Sequence, residues 1–262
     1  MWIDAHNHLH DPRLPRLDDA MVDALMAQGI EAEVVNGTCE NDWPAVATLA
    51  RRFPDFIRPS FGLHPWHVAR ASKSWQDTLR GWLDEFPHAA VGEIGLDQWI
   101  PNPDIKKQTA AFLWQSSLAA DLNRAVTIHC LKAWDALFAL WPDLPVRPGR
   151  ILIHGFTGGP DLANSLVRRG CLLGFGGHAL HPRKLTARLA FAALPDHAVL
   201  LETDAPDMPA PVTIRTHISS DPNLNHPGNL IAHGHALAGL RHTPPDDLAA
   251  HLHANTMKWL DG

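Results

Sequence analysis

Asp4-Ala5-His6-Asn7-His8 ends the first apolar run of the chain with two imidazoles two residues apart. On extended backbone, residues i and i+2 share a face, so His6 and His8 can reach one cation. Two polar side chains leaving a strand would read the same way. Val91-Gly92-Glu93-Ile94-Gly95 sets a carboxylate inside an apolar run between glycines. A charge there is costly unless it is paired or metal-bound, and glycine admits close approach of backbone or ligand. A structural ion pair is the competing explanation for Glu93. Val126-Thr127-Ile128-His129 and Ile151-Leu152-Ile153-His154 are apolar runs that each end in histidine. One such histidine is ordinarily a hydrogen-bonded core residue; two in successive runs point to shared work. Leu200-Leu201-Glu202-Thr203-Asp204 ends in Asp204, with Glu202 one side-chain period earlier. Alone, Asp204 would be a turn or cap before Pro206, and Glu202 reads as a structural partner.

These residues must be positioned by what surrounds them. Short apolar runs recur near 2–6, 31–37, 57–63, 89–95, 125–130, 150–156, 171–176 and 198–204. Helical periodicity fills 17–27, 42–52, 74–86, 105–122, 132–141, 160–169, 182–193 and 229–240, and a last helix is expected over 245–260. In the first helix Ala20, Met21, Ala24, Leu25 and Met26 form one stripe, and Gly29 stops it. Eight alternating strand and helix units predict an α/β fold, a TIM (β/α)8 barrel spanning 1–262 as one domain. A doubly wound open sheet is the structural alternative. The Pro-, Asp- and Asn-rich stretch 205–228 is then the long loop after the eighth strand, roofing the site.

In such a barrel the active site sits at the C-terminal ends of the strands. His6, His8, Glu93, His129, His154 and Asp204 all fall there. Four imidazoles and two carboxylates suit two divalent ions sharing one carboxylate. N/O ligation accepts zinc, magnesium, manganese, nickel or cobalt.

Composition bounds the rest. The chain has 262 residues, 45% hydrophobic and 19% charged, enough to build a large core and to exclude global disorder. Net charge −6 argues against a surface built for tight non-specific nucleic-acid binding. Three widely spaced cysteines, Cys39, Cys130 and Cys171, speak against a disulfide framework and suggest a reducing compartment. The opening residues lack the basic and apolar regions of a signal peptide, and no run is long enough to span a membrane. A cytoplasmic protein with no obligate protein partner is the expectation. Of the 18 histidines, thirteen have no role in this reading.

The motifs resemble the TatD family of metal-dependent hydrolases, in the amidohydrolase superfamily. The resemblance runs from residue 2 to about 260. It rests on Asp4 to Leu9, on Gly62-Leu63-His64-Pro65, on Gly92 to Asp97 and on Gln108 to Phe112 leading to Ile128-His129. It continues through His154-Gly155-Phe156-Thr157-Gly158, Glu202 to Pro206 and Asn225 to Leu230. The resemblance implies that His6, His8 and Asp204 hold one metal and His129 and His154 a second. Glu93 would bridge them, where related barrels use a carboxylated lysine. It also implies that Asp204 accepts the proton of an attacking water. His64 would face substrate, with a structural role in the Pro65-Trp66 turn as the alternative. Lys132 stands where the family often has arginine, which keeps the charge but loses bidentate phosphate geometry. Gly155 and Thr157 replace the usual Cys and Ser, and His10 intervenes before Asp11.

The function so implied is a deoxyribonuclease, a 3′–5′ exonuclease on single-stranded DNA that releases nucleotides from 3′ ends with a metal-activated water, or an enzyme acting on a small phosphodiester. Glu93 and Asp204 are its expected catalytic residues, and His64 and Lys132 its expected substrate contacts. Hydrolysis of an amide, lactone or aminoacyl ester on the same metals is the alternative, and a non-catalytic scaffold a third. The basic pairs Arg51-Arg52, Lys106-Lys107, Arg168-Arg169 and Arg183-Lys184 are expected mostly on helices of the outer wall. No aromatic-basic stacking groove is evident. Trp75, Trp82, Trp114, Trp134 and Trp141 are expected to pack on the barrel, whereas Trp66 and Trp99 follow strand-end motifs and could line the pocket.

Overall fold

A computed structural model describes residues 1–262. Eight strands pair in sequence order, each parallel to the next: β1 (Trp2–Asn7), β2 (Ile30–Asn36), β3 (Ile57–Phe61), β4 (Ala90–Asp97), β5 (Val126–Leu131), β6 (Ile151–Ile153), β7 (Cys171–Phe175) and β8 (Val199–Leu201). The seam between β8 and β1 is drawn together just past the strand ends. Asp204 N–H donates to His6 O at 2.9 Å and His8 N–H to Ala205 O at 2.7 Å. At Thr203 the side chain of Asp4 replaces backbone: Oδ1 accepts Thr203 N–H at 2.9 Å. The expected TIM barrel is the observed fold.

Nine helices cover the barrel: α1 (Asp19–Ala27), α2 (Trp43–Arg52), α3 (Trp75–Glu85), α4 (Ile105–Asp121), α5 (Trp134–Leu140), α6 (Pro160–Val167), α7 (Leu185–Ala193), α8 (Leu230–Arg241) and α9 (Pro245–Asp261). Asp18 caps α1 by accepting Met21 N–H at 2.9 Å, as a short polar side chain does at a helix start. Helix α7 begins three residues later than its periodicity predicts. Pro182 forces His181 into extended backbone (ψ 140°), so Arg183 and Lys184 lie on the loop after β7 rather than on a helix.

Alternation in the strands sorts the core. Val126, Ile128, Ile151, Ile153, Val199 and Leu201 join the apolar layer beneath the helices, where Trp75, Trp82, Trp114, Trp134 and Trp141 also pack. That leaves the intervening positions, Thr127, Leu152 and Leu200, for the barrel interior. Leu152 and Leu200 belong to a second, smaller apolar cluster with Val34 and Ala90. The next interior positions along β5, β6 and β8 are His129, His154 and Glu202. The apolar plug therefore ends where the polar site begins.

Strands β6 and β8 are shorter than their apolar runs suggest. Gly155 (φ +58°) and Asp204 (φ +54°), two and three residues past the ends of these strands, turn the backbone left-handed. For a non-glycine residue this conformation carries a cost of about 1 kcal/mol or more, met mostly at functional sites. No helix is long and apolar enough to cross a membrane.

Candidate metal centre

Glu93 lies at the middle of the site because β4 carries one residue too many. Between Val91 and Ile94 the strand advances three residues while its partner β5 advances two, from Val126 to Ile128. A bulge of this kind reverses which face the following side chains take. It brings the Glu93 carboxylate among the histidines, buried at 2% exposure. Gly92 makes room: a Cβ there would stand 2.8 Å from Thr127 Cβ and 2.9 Å from Ser60 Oγ. Strand β1 has the same irregularity, three residues from Asp4 to Asn7 against two on β2, and His6 lies within it.

The two oxygens of Glu93 face different partners. Oε2 is 3.4 Å from His6 Nε2 and 3.5 Å from His8 Nε2. Asp204 Oδ1 completes that set, 3.3 Å from His6 Nε2 and 3.5 Å from His8 Nε2. Oε1 is 3.0 Å from His129 Nδ1 and 2.6 Å from His154 Nε2, and those two nitrogens are 3.2 Å apart. His64 Nε2 reaches the same oxygen at 3.2 Å. The structure thus brings together all six residues expected as ligands, together with His64. Lys132 is exposed, one residue beyond β5.

The imidazole–carboxylate separations of the first set suit a cation. Donors about 2.0–2.1 Å from a tetrahedral ion lie about 3.3–3.4 Å from one another, and the four imidazole–carboxylate separations are 3.3, 3.4, 3.5 and 3.5 Å. His6 is fully buried, and neither ring nitrogen has a hydrogen-bond partner. A buried polar group left in that state calls for a ligand to explain it.

The chain's relationships agree. The model of the TatD related DNase family matches residues 3–261. The chain belongs to the TatD family. Among its relatives is an uncharacterized metal-dependent hydrolase, YjjV, of Escherichia coli K12. It is 31% identical over 259 residues, covering 97% of this chain and 96% of the relative. A 3′-5′ ssDNA/RNA exonuclease TatD of Erwinia billingiae is 31% identical over 242 residues, covering 92% and 91%. The crystal structure of E. coli YjjV superposes with a TM-score of 0.85 at 29% identity, covering 98% of this chain and 97% of that one. The protein is a TatD-family metal-dependent hydrolase with His, Glu and Asp groups able to hold metal.

Residues behind these TatD donors fix their ring orientation. His8 Nδ1–H donates to Asn36 O at 2.7 Å, which leaves Nε2 free to face inward. His129 uses the opposite nitrogen: Nε2–H donates to Asp97 Oδ2 at 3.1 Å, leaving Nδ1 inward. Asp97 stands in the Gly92–Asp97 motif, yet sequence reasoning gave it no role. A second carboxylate four residues after a glycine-flanked Glu in the same strand was the available signal. Glu202 points into the site's wall, where Oε1 accepts Gly155 N–H at 2.5 Å. It fits there because Gly174 has no side chain; a Cβ on Gly174 would overlap the carboxylate.

The charges follow from this packing. Burial disfavours an ionised Glu93, but His154, His64 and His129 outweigh it and hold the carboxyl well below its usual range. Asp204 is held low against burial by His6 and His8. Burial opposes protonation of His6 and of His129, yet Asp204 and Glu93 raise His6 to about 9, and Asp97 and Glu93 raise His129 to about 9. His64 goes the other way: burial pulls it down to about 4. Its Nδ1 accepts Trp66 N–H at 3.2 Å, so the single proton of the neutral ring sits on Nε2, facing Glu93. Burial raises Glu202 to about 8, so this carboxyl is protonated at neutral pH.

Proposed function

We propose that the chain, acting as one catalytic unit over residues 1–262, is a 3′–5′ exonuclease on single-stranded DNA that uses two divalent ions. The observation that carries this reading is the division of Glu93 between two imidazole sets, each completed by donors from other strands. The first ion would be held by His6, His8, Asp204 and Glu93, the second by His129, His154 and Glu93. Zinc, magnesium, manganese, nickel and cobalt all suit such nitrogen and oxygen donors. When bound, the metal pair supplies Lewis acidity and a water acidified for attack on phosphorus.

The chain's own groups perform the remaining work. Asp204 presents Oδ1 to His6 and His8, which leaves Oδ2 to take the proton of the attacking water. His64 Nε2–H is a neutral donor at the second set, able to hydrogen-bond a phosphate oxygen without adding charge. Lys132 is exposed at the same end of the barrel and supplies a positive charge for the next phosphate of the strand. The exonuclease activity named for the TatD relatives supports the substrate class, although the net charge of −6 means that affinity must come from local contacts. Three free thiols agree with a cytoplasmic site of action.

Metal-loaded wild type incubated with end-labelled single-stranded DNA should release nucleotides stepwise, and His129→Ala should not. If wild type and His129→Ala behave alike on DNA while both carry intact folds, the reading fails. Turnover of a carboxylic ester or lactone in the same assay would move the enzyme to carbonyl chemistry.

A further inference from the structure

Two tryptophans stand exposed at the mouth of the site, Trp66 at 54% and Trp99 at 71%, among the most exposed large apolar side chains of the molecule. Both are tied to one carboxylate. Trp66 Nε1–H donates to Asp97 Oδ2 at 2.6 Å, and Trp99 N–H donates to Asp97 Oδ1 at 2.7 Å. That same Oδ2 accepts from His129 Nε2 at 3.1 Å. The Trp66 ring lies 4.9 Å from His64 and 6.2 Å from His129, centroid to centroid, and crosses both at steep angles of 85° and 73°. No ring lies parallel on it. Gln98 N–H donates to Leu131 O at 2.9 Å, which joins the backbone segments that lead into Trp99 and Lys132. An indole is ordinarily buried or turned along the surface. Here the ring is held rigid by its N–H, half open to solvent, and set against the imidazoles that face Glu93.

We propose that Trp66 is a stacking platform for the nucleobase of the nucleotide being removed, with Trp99 and Lys132 receiving the next base and phosphate. This rests on the exonuclease reading above and specifies how that site takes its substrate. A nucleobase is the occupant that fits. It is planar, it travels with the phosphate that the buried donors would act on, and stacking accepts every base, as an exonuclease moving along a strand requires. The hydrogen bond to Asp97 makes the platform rigid before substrate arrives, so little side-chain freedom is lost on binding. Asp97 also joins the platform to His129, so a base seated on Trp66 lies a fixed distance from the second donor set.

The test uses two 5′-labelled single-stranded oligonucleotides, one ending at its 3′ side in thymidine and one in a baseless deoxyribose analogue. Binding to the metal-free protein is measured by fluorescence anisotropy, and first-nucleotide release is measured with added manganese. Wild type should bind the thymidine-ended strand about tenfold more tightly than the baseless one. Trp66→Leu should reduce that ratio to within about twofold. Trp66→Phe, which keeps a stacking face but not the Nε1–H, should retain most of it. Equal weakening of both strands by Trp66→Leu, or a wild type indifferent to the missing base, overturns the platform while nucleotide release by wild type leaves the exonuclease reading standing. Absence of release from either strand by wild type with each of the metals named above overturns the exonuclease reading itself.

Discussion

The two halves of the cradle around Glu93 are built differently. His6, His8 and Asp204 lie at the ends of β1 and β8, which are joined by backbone hydrogen bonds from Asp204 to His6 at 2.9 Å and from His8 to Ala205 at 2.7 Å. The His6 and His8 Nε2 atoms lie 3.3–3.5 Å from the Asp204 and Glu93 oxygens. His129 and His154 come from the ends of β5 and β6; their donors lie 3.2 Å from each other and 3.0 and 2.6 Å from Glu93 Oε1, the spacing of groups that hydrogen-bond to each other. Those distances are short for a shared ion, and His64 crowds the same Glu93 oxygen. Backbone anchors the strands of both halves, since His154 N–H also donates to Ile128 O at 3.2 Å, but the side-chain donors of the second half must separate by up to about 0.7 Å to take an ion at about 2.0–2.1 Å. A preset site binds more tightly than one that must rearrange. The first ion should accordingly be the tenacious one and the second exchangeable.

The largest expected effect erases the difference. Glu93→Gln removes the charge shared by both halves, and activity should fall on the order of a thousandfold, the equivalent of several kcal/mol of lost transition-state stabilisation. Metal analysis of the dialysed variant should show both ions weakened. If one ion remained at full occupancy, Glu93 would not be shared.

A smaller change should separate the halves. Asp97→Asn leaves His129 in place but removes the carboxylate that orients it. Affinity for the second ion should drop about 10–100-fold, with the first unchanged. Calorimetric titration would show this as a shift of the weak step alone. An equal shift of both steps would mean that Asp97 acts on the whole cradle.

The smallest effect should touch neither half. His233 is fully buried, and burial holds its ring down to about 4, with Arg215 opposing protonation as well. Its pKa when unfolded is near 6.5, so the unfolded chain binds the extra proton first, and stability is lost as pH falls from 6.5 toward 4. At pH 5 the loss from this group is about 2 kcal/mol. Urea unfolding of the wild type and His233→Gln at pH 7 and pH 5 should show that difference, with metal stoichiometry at pH 7 the same in both. A difference that did not change with pH would show that His233 is charged in the fold.

Much of this was legible in the sequence, and what was hidden has physical reasons. Apolar runs ending in His6, His129 and His154, alternating with amphipathic helices, were sufficient for the barrel and for the end of it that carries chemistry. The bulges in β1 and β4 were not legible, because an inserted residue leaves no mark in composition. Strict alternation from Ala90 would have turned Glu93 away from the site. Asp97 and Asn36 escaped notice because they act through a histidine's other nitrogen, a contact that only the folded chain brings together. Trp66 was legible as a strand-end aromatic, but its hydrogen bond to Asp97, 31 residues away, was not. Arg183 and Lys184 were expected on the helix of the outer wall, and the extended residue before Pro182 places them on the loop at the site's end of the barrel instead.

The central claim, two unequal ion sites sharing Glu93, is tested most directly by titrating metal-free wild type, His8→Asn and His129→Asn with manganese and counting retained ions after dialysis. Wild type should bind in a tight and a weaker step. His129→Asn should keep the tight step and one retained ion, and His8→Asn should lose the tight step. A single step in wild type, or loss of the tight step in His129→Asn, would contradict the account.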